Sequence, residues 1–71
     1  HEHTGKSEAW VIVEGRGRAT VGDRSSDVTR GDVVVTLPGS PHALQNTGKG
    51  ALRFVNLVTV HHVDVTTREL D

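Results

Sequence analysis

The chain has 71 residues, a formal net charge of -1 and no cysteine. That length allows one domain and excludes disulfides and Cys-based zinc sites, leaving a metal or a partner subunit as the usual support for so small a core. Acids and bases are interspersed, so no basic stripe exists to bind nucleic acid, and the longest apolar run falls well short of the roughly 20 residues of a membrane helix.

No segment has the charged, apolar and cleavage regions of a signal peptide. Absence of cysteine fits the cytoplasm, which is the expected location. Trp10 and Phe54 are the only aromatic residues, so the core must rest on Val, Leu and Ile. Five histidines are many for this length, and they are the first compositional sign of chemistry.

In chain order, Glu8–Glu14 (EAWVIVE) is rich in β-branched and aromatic residues and reads as a strand. Strict alternation puts Glu8, Trp10, Ile12 and Glu14 on one face and Ala9, Val11 and Val13 on the other. Apolar residues on both faces suggest a strand covered on both sides, by a barrel interior and by a second sheet or subunit. Gly15-Arg16-Gly17 reads as a bend or bulge in a strand that continues through Arg18 to Val21. It lacks the spacing of a phosphate loop, and no helix follows.

A turn at Gly22-Asp23, a short strand Asp27–Thr29 and a turn at Arg30-Gly31-Asp32 come next. Val33–Leu37 is the following strand, closed by the loop Pro38-Gly39-Ser40-Pro41, where proline removes ladder donors. His42–Gln45 is a short strand and Asn46–Gly50 (NTGKG) a turn. Ala51–Val65 reads as one long strand, or two with a bend near His61-His62, with Leu52 and Phe54 on a face opposed by Val55 and Leu57. The tail Thr66–Asp71 reads as a helical turn or as disordered. Short strands between regular turn signals predict an all-β fold of sandwich or barrel type, one domain over residues 1–71.

Two spaced patterns carry the chemistry. His1 and His3 precede Glu8 and Gly15, with four residues between His3 and Glu8 and six between Glu8 and Gly15. Gly31, Gly39, His42 and Asn46 form the second, with Leu37-Pro38 before Gly39. On a strand, His1 and His3 point to the same face, and the glycine-proline loop can bring His42 back toward them. Three imidazoles and one carboxylate leave open positions on a six-coordinate metal and suit Mn, Fe, Ni, Zn or Cu without choosing among them. Alternatively, a free amine at residue one with histidine third can wrap Cu(II) or Ni(II) in a square plane, which would consume His3.

These patterns resemble the two motifs of the cupin superfamily. Leu37 stands where the second motif has proline, and Pro38 can stiffen the same loop. The spacer Arg16–Arg30 is short for the family, and the strands that usually precede the first motif are absent. The resemblance implies a small antiparallel, jelly-roll-like β-barrel, partly open and N-terminally incomplete. It also implies one divalent transition metal held by His1, His3, Glu8 and His42. Trp10, Ile12, Asn46 and Phe54 are expected to line the pocket. Asn46 also suits the start of the NTGKG turn. His61 and His62 point to opposite faces and are expected at the surface or an interface, and Arg16, Arg18 and Arg53 at the surface.

The function implied is metal-dependent chemistry, isomerase or dioxygenase in type, on a small oxygen-rich molecule such as a sugar, hydroxy acid or diketone. No other residue reads as a dedicated general base; Glu14 is the nearest by strand face, but beside the Gly15 bend it is expected to be exposed to solvent. The alternatives are a non-catalytic small-molecule-binding module and a subdomain of a larger cupin assembly. The apolar face at Ala9, Val11 and Val13 points to a homodimer.

Overall fold

The structure, a computed structural model, describes residues 7–59 and 63–71. His1, His3, His61 and His62 lie outside the described residues. Seven strands run β1 (Ser7–Glu14), β2 (Arg16–Val21), β3 (Arg24–Thr29), β4 (Val33–Thr36), β5 (His42–Asn46), β6 (Leu52–Thr59) and β7 (Val63–Leu70). They form a four-stranded sheet, β4-β1-β6-β7, and a three-stranded sheet, β3-β2-β5. Every pairing is antiparallel. The two sheets face each other as an open sandwich of jelly-roll-like form and do not close into a barrel.

The core lies between the sheets. Trp10, Ile12, Leu52 and Phe54 from the larger sheet meet Ala19 and Val28 from the smaller, with Val34, Leu44 and Leu70 packed around them. Ile12 and Leu52 are fully enclosed. Trp10 and Ile12 therefore face inward, as alternation predicts, and Leu52 and Phe54 share that face. Glu14 does not. β1 carries a bulge between Ile12 and Glu14, so that Glu14 pairs with Arg53 while Ile12 pairs with Phe54. One extra residue reverses the alternation, and Glu14 emerges outside, where Arg53 bridges it at 3.2 Å and Glu69 at 2.7 Å. The Arg53 guanidinium holds its proton more tightly than usual, through its hydrogen bond to Glu69 and then the charge of Glu14. All three side chains are about half exposed to solvent, so this cluster is weakly stabilising and salt-sensitive.

The tail departs from expectation. Residues from Val63 to Leu70 form a full strand in register with β6, from Thr59↔Val63 to Leu52↔Leu70. Val63, Val65, Thr66 and Thr67 are good strand formers, but most of this strand is exposed, so it lacks the alternation that marks a half-buried strand. The stretch Ala51–Val65 thus contributes to two antiparallel strands, β6 and β7, the second of its two expected readings. β3 is also longer than predicted: its polar residues pair outward with β2, through Arg18–Asp27 at 2.9 Å and Thr20–Ser25 at 2.8 Å.

Gly15 makes the corner where the chain leaves the larger sheet for the smaller. Its φ is 92°, and a Cβ there would lie 2.5 Å from the Ala51 carbonyl oxygen. A side chain is therefore opposed both by backbone conformation and by close approach. Gly39, in the loop before β5, has φ 80° but open space around it. Gly15→Ala is expected to destabilise the fold by about 2–4 kcal/mol. Gly39→Ala, which carries the conformational part alone, should cost about 1–2 kcal/mol. Urea unfolding of the two variants checks the order; equal losses would show that the Ala51 carbonyl yields freely.

Candidate metal site between the sheets

Glu8 begins the inward-facing row of β1, opposite Thr36 of β4 and Val58 of β6. Thr36 is buried, and its hydroxyl lies 3.4 Å from the Glu8 carbonyl oxygen. His42 begins β5 on the other sheet, directly after the Pro38–Pro41 loop. The loop and the corner at Gly15 set the two sheets face to face, and the side chains meet across the gap. His42 Nε2 lies 2.6 Å from Glu8 Oε2, with the side chains 31% and 18% exposed. The site is thus partly shielded yet open at its mouth.

The other nitrogen of His42 is already committed. Nδ1 lies 2.9 Å from the Ser40 carbonyl oxygen. A carbonyl accepts only, so Nδ1 carries the hydrogen and donates it. Nε2 then faces a carboxylate oxygen at hydrogen-bonding distance. An imidazole anchored to a backbone carbonyl through one nitrogen, with the other free, is the usual arrangement of a metal-ligating histidine.

The pair fits a metal. Bonds of about 2.0–2.2 Å from one ion to a nitrogen and an oxygen at right angles place those atoms about 3 Å apart, so a small separation of Glu8 and His42 makes room. Among the described residues, no group of three or more His, Cys, Asp or Glu gathers here or elsewhere. The other two expected ligands, His1 and His3, lie outside the described residues.

Trp10 forms the wall between this pair and the core. Its ring meets His42 edge-on at 5.4 Å and Phe54 at 6.2 Å. The contact braces the His42 ring and links the site to the packed interior. Ile12 lies one step deeper on β1 and is fully buried.

Asn46 stands at the far end of β5, about 13 Å along the strand from His42. Its amide nitrogen donates to the carbonyls of Gly50 at 2.8 Å and Leu70 at 3.0 Å, and its oxygen accepts from the Gly48 amide at 2.9 Å. It holds the NTGKG turn and ties one sheet to the other. Arg18 and Arg53 are engaged in exposed ion pairs, and Arg16 is exposed at the Gly15 corner end.

One residue of this face escaped the sequence reading. Asn56 pairs with Trp10 across β1 and β6 and shares its inward face. It is 8% exposed, and its Oδ1 is closed to solvent with no hydrogen-bond partner. Leaving such a carbonyl unpaired costs about 1–3 kcal/mol. The signal was a lone amide at an inward position of the apolar run Phe54–Val58, two residues after Phe54.

The Cupin domain family model matches residues 1–63, and the chain belongs to that family. An uncharacterized protein of Methanocaldococcus jannaschii is 33% identical over 55 residues, which cover 78% of this chain and 44% of that protein. A crystal structure from Acidithiobacillus ferrooxidans, named "Putative sugar phosphate isomerase", has a similar fold. Its TM-score is 0.66 at 19% identity, over 99% of this chain and 55% of that one. The chain spans about half the length of these relatives.

Asn46→Ala should lower stability by about 2–3 kcal/mol through the loss of three hydrogen bonds and leave metal affinity unchanged. Denaturant unfolding and a metal titration of the same variant check both halves; a loss of metal affinity in a folded variant would place Asn46 in the site.

Proposed function

We propose that this chain forms the core of a metal-dependent cupin acting on a small oxygen-rich molecule, a sugar, hydroxy acid or diketone. The observation that carries the reading is the Glu8–His42 contact at 2.6 Å, made between two sheets and oriented by the Ser40 carbonyl. His1, His3, Glu8 and His42 would hold one divalent transition metal. Bound there, the metal would supply a Lewis acid that polarises a carbonyl or hydroxyl of the substrate. The chain's own residues do the rest. Ser40 fixes which nitrogen of His42 faces the site, Glu8 supplies negative charge, and Trp10 and Phe54 give a rigid apolar wall. Isomerisation is favoured over dioxygenase chemistry by the name of the Acidithiobacillus ferrooxidans protein of similar fold. The expected location is the cytoplasm; among the described residues no helix is long and apolar enough to cross a membrane.

The metal is tested by elemental analysis of the purified chain. One equivalent of a divalent transition metal is expected, with at least a hundredfold loss of affinity in His42→Ala, since even groups behind a ligand contribute about 10–100-fold. Metal binds these ligands as carboxylate and neutral imidazole, so affinity should fall as pH is lowered. Unchanged stoichiometry and affinity in His42→Ala would remove the assignment.

A second reading concerns assembly. The outer face of the larger sheet carries an apolar row from edge to edge, Val35, Ala9, Leu57 and Val65 in register. Val33, Val35, Val63 and Val65 are each more than half exposed. A contiguous apolar face of this kind marks an interface, and a second copy could cover it about a twofold axis. The chain is then a homodimer or a subdomain of a larger cupin assembly. Sedimentation equilibrium should give a dimer for the wild-type chain and a folded monomer for Val35→Lys with Val65→Lys. A wild-type monomer at all concentrations would dispose of self-association.

A further inference from the structure

Among the described residues, Asn56 is the one with a buried side-chain polar atom that the fold leaves without a partner. Its Oδ1 has no partner and is closed to solvent. Thr36, the other buried polar residue of this face, contacts the Glu8 carbonyl. Asn46 spends its whole carboxamide on the turn and on β7. Packing gives no reason for Asn56, since its strand neighbours at inward positions, Leu52 and Phe54, are apolar. A buried acceptor with no partner inside the protein calls for a donor from outside it, a water or a ligand hydroxyl.

Its place relates it to the site. Glu8 pairs with Val58, and Trp10 with Asn56. Glu8 and Asn56 are therefore diagonal neighbours on one face, about 7–8 Å apart between their backbones. Trp10 lies beside Asn56 in register and touches His42. A molecule that engages Glu8 and His42 at one end and runs along the Trp10 wall arrives at Asn56.

Resting on the function proposed above, we infer that Asn56 is a ligand-binding residue whose side-chain carbonyl accepts a hydrogen bond from a substrate hydroxyl. The substrate is then polyhydroxylated. A diketone that cannot enolise has no hydroxyl to donate, so this position selects sugars and hydroxy acids over it. The discrimination is strong in principle, because a site built around a buried polar group rejects the analogue that leaves it unpaired.

The test uses two probes, xylitol and 3,3-dimethylpentane-2,4-dione, a dione that cannot enolise, with the full chain supplied with one equivalent of Mn(II). Binding is measured by the quenching of Trp10 fluorescence. Wild-type protein should bind xylitol the more tightly. Asn56→Val should weaken xylitol at least tenfold while leaving the dione within twofold. Asn56→Ala serves in its place if the valine disturbs packing, with thermal unfolding confirming the fold of either. In a diamagnetic Zn(II) sample, the Asn56 side-chain amide resonances should shift on addition of xylitol and stay in place on addition of the dione. Xylitol affinity unchanged in both variants overturns the inference and leaves the metal-site reading standing; a buried water alone as the partner of Asn56 gives this result. Equal weakening of both probes also overturns it. Failure of the wild-type chain to bind either probe overturns the small-molecule reading as well.

Discussion

The corner at Gly15 is the constraint on which the rest of the molecule depends. Here the chain must leave one sheet and enter the other within a single residue. It does so with φ at 92° and with the Ala51 carbonyl pressed against the place a side chain would occupy. The same region is pinned from outside: Ile12 exchanges backbone hydrogen bonds with Gly31 and Asp32, each 2.9 Å. These contacts clasp the turn after β3 onto β1. Because β1 and β2 diverge at this point, Glu8 belongs to the larger sheet, and β2 carries β5, with His42, on the smaller. The Glu8–His42 contact follows from a backbone decision made seven residues downstream of Glu8.

That origin explains how much of the site was legible in the sequence. Glycine and proline mark backbone conformation directly, so the corner at Gly15 and the loop before His42 could be read from their residue types. The resemblance implied His1, His3, Glu8 and His42 as ligands; the structure brings Glu8 and His42 together, and His1 and His3 lie outside the described residues. Alternation placed Trp10, Ile12, Leu52 and Phe54 inside, because strand periodicity is exact until something interrupts it. Glu14 shows two signals in competition: strict alternation puts it on the inner face, the Gly15 bend beside it points to exposure, and the bulge after Ile12 turns it outward. β7 shows a limit: its pairing with β6 is carried by backbone hydrogen bonds along an exposed strand, and backbone bonds leave little trace in side-chain pattern. Asn56 was overlooked for a different reason. A single polar residue in an apolar run reads as noise until the register of its neighbours shows which way it faces.

The polar groups between the sheets divide by what they do for the fold. Asn46 has donors and acceptors fully matched and holds the end of the sandwich far from His42 closed. Glu8 and His42 are matched to each other across the gap between the sheets, at a site partly open to solvent, and Asn56 Oδ1 has no partner. In a domain of 71 residues, total stability amounts to about 4–10 kcal/mol, so one unpaired buried carbonyl is a large concession. Local rules are broken most often where a protein meets its ligand. The breach here, at Asn56, shares one face with Glu8, in neighbouring rows of β1 and β6.

The distribution of apolar residues completes this division. The inner face of the larger sheet is apolar along the Trp10, Ile12, Leu52 and Phe54 rows and polar toward Glu8 and Asn56. Its outer face is apolar along Val35, Ala9, Leu57 and Val65. A sheet that is apolar on both sides needs cover on both sides, and the three-stranded sheet supplies only one. A second subunit on the outer face would leave the site's mouth free, because Glu8 and His42 open between the sheets and not through the outer surface. Such a subunit would also stiffen the strands that carry Glu8 and Asn56. Rigid support behind a site reduces the ordering that ligand binding must otherwise impose. Cover of the outer face and affinity at the inner face are thereby linked through the same two central strands, β1 and β6.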